Sequence, residues 1–168
     1  MGAPAPRPAP GWRQVTQMPG RSNLSGSDDR SRQGSDPLFS FRLLGQVQVA
    51  RGGEPLPPPP FRVQGLLAAL LLYPRPQSRE RLIGLLFPDL PEGTGRRRLS
   101  DLLWLLRQAL PDLPLQAGSQ SVCLDAGSRW LDVEAFRQAA AGPGLDDRLG
   151  ALALYRGDLV EGAYDDWL

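Results

Sequence analysis

Between residues 95 and 110 the apolar side chains recur at helical spacing. At about 100° per residue, Leu99, Leu102, Leu103, Leu106 and Leu110 fall within an arc about 100° wide, the width of a core-facing stripe. Arg97, Asp101, Trp104 and Gln108 share the opposite side, and the triplet Arg96-Arg97-Arg98 opens the segment. The pattern predicts a helix buried along one face only. A solvated face normally carries no large aromatic, so Trp104 points to a partner on that side.

The pattern upstream is different. Phe39, Phe41 and Leu43, then Val47 and Val49, alternate with polar or small residues, which is the period of a half-buried strand pair. Gly52-Gly53 supplies a turn, and Leu56 fits a short third strand before the run Pro57-Pro58-Pro59-Pro60. Residues 61–73 are apolar on nearly every side and predict a helix at the centre of the domain. Pro74 and Pro76 stop it. Ser78 then predicts an N-cap for a second helix over residues 79–87, with Glu80 in its first turn. After a loop over residues 88–95, Thr94 is the expected cap of the arginine-led third helix, with an earlier start left open. Leu115 and Val122-Cys123-Leu124 flank a small polar tip and predict a hairpin.

Strands, helix, helix, loop, helix and hairpin, in that order, predict an α+β fold: a winged helix-turn-helix over residues 38–131 with an N-terminal antiparallel sheet and a C-terminal wing. Residues 132–168 change character. Ala-rich helical segments on either side of Gly142-Pro143-Gly144 predict an α-hairpin, a unit that buries little alone and usually has neighbours stacked on it. Residues 1–37, rich in Pro, Gly, Ser and Arg without apolar period, predict a disordered tail.

Composition narrows the classes of function. A chain of 168 residues with 41% hydrophobic and 22% charged residues allows one small domain and part of another, not a large catalytic scaffold. Its net charge of +1 conceals a segregation. Residues 1–37 hold five Arg and three Asp, residues 38–124 ten Arg and six acids, and residues 125–168 four Arg and nine acids, giving +2, +4 and −5. With no His and Cys123 alone, zinc sites of the usual kind and internal disulfides are not expected, which fits a reducing cytoplasm. The longest apolar run, residues 66–73, is far short of the ~20 residues that span a bilayer. No metal, cofactor or membrane partner is expected, and no enzymatic activity.

The motifs resemble a known family. Phe41-Arg42-Leu43-Leu44-Gly45, Ser78-Arg79-Glu80-Arg81-Leu82, Phe87-Pro88-Asp89, Arg98-Leu99-Ser100-Asp101-Leu102-Leu103-Trp104 and Leu106-Arg107-Gln108-Ala109-Leu110 resemble the DNA-binding domain of SARP-type (Streptomyces antibiotic regulatory protein-like) transcriptional activators. Trp130-Leu131-Asp132-Val133-Glu134-Ala135-Phe136 and the stretch from Leu154-Tyr155-Arg156-Gly157-Asp158-Leu159 to Tyr164-Asp165-Asp166-Trp167-Leu168 resemble the start of the bacterial transcriptional activator domain behind it. The resemblance implies an OmpR-like domain that binds repeats in double-stranded promoter DNA and helps recruit RNA polymerase, followed by a tetratricopeptide-like activator domain. That domain is several helices longer in the family, so the chain resembles a shortened form. Family members often carry Arg or another polar residue where this chain has Leu105.

The expected DNA interface is therefore Arg96, Arg97, Arg98, Ser100, Asp101, Trp104, Leu105 and Gln108 on the third helix, with Ser119 and Gln120 at the hairpin tip. Arginine suits phosphate and guanine because its planar fork is permanently charged, and a cationic triplet opposes the dipole at a helix start, which disfavours a purely stabilising role. Trp104 is open between a thymine methyl or sugar, packing beneath the wing, and a protein contact. Asp101 and Gln108 suit base edges or plain solvent exposure. Arg79 and Arg81 suit phosphates or a solvated face. Asp165-Asp166 lacks a third ligand and reads as helix capping, and Cys123 as core packing. The function expected is sequence-specific transcriptional regulation, by activation, with a homodimer on DNA among the expected assemblies; the alternative is a protein-interaction module in which Trp104 and Leu105 face another protein.

Overall fold

The computed structural model describes residues 37–125, 127 and 129–163. The expected tail up to residue 36, the Asp165-Asp166 pair and Trp167 lie outside the described residues.

Strand β1 (Phe39–Arg42) pairs antiparallel with β2 (Gln48–Arg51), and β2 with β3 (Glu54–Leu56). The alternation buries Phe39, Phe41, Leu43 and Val49. Gly52 and Gly53 make the β2–β3 turn with φ of 54° and 84°, a pair of left-handed positions that glycine reaches without a Cβ clash. Helix α1 (Phe61–Leu72) follows Pro60, which occupies its N-cap, and its Val63, Leu66, Leu67, Leu70 and Leu71 are at most 1% exposed. Such complete burial makes α1 the centre of the core.

A two-residue strand, β4 (Gln77–Ser78), leads into α2 (Arg79–Leu86), where the Ser78 hydroxyl accepts a 3.1 Å hydrogen bond from the Arg81 N–H, the expected cap. Helix α3 (Glu92–Ala109) starts earlier than the Thr94 cap would place it. Pro91 stands at the N-cap, and its carbonyl accepts from the N–H groups of Thr94 and Gly95. Thr94 is thus inside the first turn. Leu99, Leu102, Leu103 and Leu106 of α3 are buried against α1 and α2.

The predicted hairpin is β5 (Leu115–Ala117) and β6 (Ser121–Leu124), paired with Leu115 opposite Leu124 and Ala117 opposite Val122. β4 joins it, in the order β4-β6-β5. The N-terminal sheet departs from the expected all-antiparallel form: β7 (Arg129–Leu131) returns from the hairpin and pairs parallel to β1, giving the order β3-β2-β1-β7. Leu131, 2% exposed, gains burial by this return, and Arg129 donates to the Leu71 carbonyl at 3.2 Å.

Helices α4 (Asp132–Ala140) and α5 (Leu145–Leu154) form the expected hairpin, with the Asp147 carboxylate accepting from the Gly144 N–H at 3.0 Å. The chain then turns back to the β1–β2 connection. The Gly45 N–H donates to the Asp158 carbonyl, the Val160 N–H to the Leu43 carbonyl and the Glu161 N–H to the Gly45 carbonyl, at 2.8, 2.7 and 3.0 Å. Val133 and Val160 belong to the same hydrophobic cluster as α1 and α3.

Candidate nucleic-acid interface

Burying one face of α3 leaves the other outward. Arg97, Asp101, Trp104 and Gln108 are all exposed, and Trp104 retains 60% of its accessible surface. That figure removes one of the three readings of Trp104, since a residue packed beneath the hairpin would be covered. Arg97, Arg98 and Arg107 have no hydrogen bond or ion pair within the described residues. Three guanidinium groups on one exposed helix therefore remain available to an external acceptor.

Two of the expected DNA-facing residues are engaged internally. Because α3 begins at Glu92, the triplet does not open the helix as expected: Arg96 lies one turn inside it and pairs with Glu92 at 2.6 Å and with Glu80 of α2 at 3.4 Å, which offsets its charge. The Ser100 hydroxyl donates to the Arg96 carbonyl at 3.0 Å and lies 3.4 Å from Arg79 Nη1. Leu105 sits at the edge of the face, half-buried against the core. The open surface of α3 is thus narrower than the triplet suggests, and centred on Arg97, Asp101, Trp104 and Gln108.

Ser119 and Gln120 stand exposed at the hairpin tip. The Gly118 N–H closes the turn on the Ser121 carbonyl at 2.9 Å. Arg79 holds the tip from the side: its N–H donates to the Gln120 carbonyl and its Nε to the Gly118 carbonyl, at 3.0 and 2.9 Å. Arg81 points elsewhere, its guanidinium 5.2 Å from the Tyr73 ring centre.

Gly95 also shapes the site, and periodicity alone does not reveal it. A Cβ there would lie 2.5 Å from Cγ2 of Ile83, so only glycine lets α3 approach α2 this closely without a shift. Among the described residues no group of three His, Cys, Asp or Glu side chains is placed to hold a metal ion, and no helix is long and apolar enough to cross a membrane.

No family model and no curated protein matches the chain. Among solved structures it is similar to Mycobacterium tuberculosis EmbR in complex with a low affinity phosphopeptide, at 24% sequence identity and a TM-score of 0.54. The match covers 74% of this chain and 38% of that one, so the chain spans well under half the length of its neighbour. The likeness is one of fold.

Proposed function

We propose that the chain is a sequence-specific transcriptional regulator of the SARP type, an activator that lays α3 in the major groove of double-stranded promoter DNA. In this reading α2 and α3 are the helix-turn-helix, β5 and β6 are the wing, and residues 132–168 begin a tetratricopeptide-like activator domain able to meet RNA polymerase. The observation that carries it is the exposed side of α3, which presents Trp104 and Arg97 together, with Arg98 and Arg107 also exposed on the helix and all three arginines unpaired among the described residues. In this reading Arg97 and Arg98 supply phosphate and guanine contacts, and the exposed Asp101 and Gln108 are available to base edges. The similarity of fold to EmbR supports the assignment of elements.

Trp104 favours a second reading, a protein-interaction module without independent DNA binding, because an exposed indole also suits a protein interface. Electrophoretic mobility shift at two salt concentrations separates the two. The DNA reading expects affinity to fall steeply with salt, and the Arg97→Ala/Arg98→Ala double variant to lessen the slope of log K against log salt by about 0.9 for each phosphate no longer neutralised. Binding of the double variant as tight as wild type, with the same slope, would remove α3 as the DNA-reading helix.

A further inference from the structure

Arg79 stands where three elements meet. Its backbone is bonded to the Gln120 carbonyl, its Nε to the Gly118 carbonyl, and its Nη1 approaches the Ser100 hydroxyl of α3. Ser78, just before it, is opposite Ser121 in the β4–β6 pairing. A guanidinium directs its donors along fixed lines in one plane, so a single side chain here holds a loop carbonyl and a helix hydroxyl at a set separation. The hairpin gains from such a tie, since β5 and β6 are three and four residues long and β4, the third strand of their sheet, adds only two residues.

We propose that Arg79 is a positioning residue that fixes the hairpin tip relative to the exposed face of α3, and is not itself a phosphate ligand. Its consequence for DNA rests on the function proposed above; its consequence for the free protein does not. The tip residues Gly118, Ser119 and Gln120 carry no charge. Loosening them therefore weakens DNA binding without releasing fewer counterions, whereas removing a phosphate-bound arginine changes the salt slope. Lysine distinguishes the roles further: it keeps the charge a phosphate needs and lacks the planar fork the tie needs.

Hydrogen exchange of the free protein and anisotropy titration of a generic DNA duplex over a salt series test this in Arg79→Ala, Arg79→Lys and Ser100→Ala. Exchange in peptides spanning residues 116–122 should quicken by about tenfold in both Arg79 variants, as expected when hydrogen bonds of ordinary net strength are removed, while α1 peptides keep the wild-type rate. Ser100→Ala should show a smaller change in the same peptides. Duplex affinity should fall by about three- to tenfold in both Arg79 variants at one salt concentration, with the salt slope unchanged. Unaltered exchange at the tip overturns the proposal, and so does a slope lowered by about 0.9 in Arg79→Ala with binding restored in Arg79→Lys. If the wild-type protein binds no duplex, the DNA reading falls and the exchange result alone decides the tie.

Discussion

The Asp132 carboxylate opens α4 yet serves the other end of the domain, accepting from the N–H groups of Leu43 and Leu44 at 2.9 and 3.0 Å while the residue is only 2% exposed. Burial pushes this carboxyl above its ordinary value, against the pull of the backbone donors and of Arg42. A raised value means that the folded protein holds its proton at a pH where the unfolded chain has released it. The contribution is full below the ordinary carboxylate value and is lost as pH rises through the raised one. The urea midpoint of wild type, measured relative to Asp132→Asn across an acid-to-neutral series, should therefore decline with rising pH; a difference that grows with pH would contradict the assignment. The sequence places Asp132 at a helix start but does not reveal this role, because its partners lie 88 and 89 residues away and no local spacing encodes them. Trp104 is legible for the opposite reason. Its exposure follows from the period of its own helix.

Two glycines in the first turns of α3 separate helix propensity from packing. A Cβ at Gly93 would meet nothing within 4 Å, whereas at Gly95 it would run into Ile83. Gly93→Ala should raise stability by about 0.5–1 kcal/mol through propensity and reduced unfolded-state entropy. Gly95→Ala gains the same term and opposes it with an overpacking cost of about 1–3 kcal/mol, so its net effect is destabilising. Thermal melts of the two variants check the contrast; equal stabilisation would show that α2 and α3 do not cross so closely. The same crossing explains a boundary. Glycine at residue 95 reads locally as a helix edge, but here it lies inside α3 and permits the close approach. The prolines, the Ser78 cap and the apolar stripes make α1, α2 and most of α3 legible. β4 and β7, two and three residues long, carry too little period to be read, and their pairings are decided by distant strands.

The basic middle and acidic end of the chain are stitched together by backbone hydrogen bonds. Gly45, at φ 92°, and Gly157 meet at that junction: a Cβ on Gly45 would lie 3.3 Å from Arg156 backbone atoms, and one on Gly157 would lie 3.1 Å from Gly45 Cα. A chain ending at residue 141 lacks these bonds and the burial of Val160, which is 0% exposed. Its melting temperature should fall, and amide exchange in β1 and β2 should quicken; an unchanged melt would make the last residues passengers. The junction also imposes an order in time. β1 waits for β7, and the β1–β2 turn waits for Val160, more than a hundred residues later in the chain. At the usual pace of synthesis that interval is on the order of ten seconds. Until residues 129–131 have been made, the β1 edge of the nascent sheet stands open, and β7 is the strand that closes it.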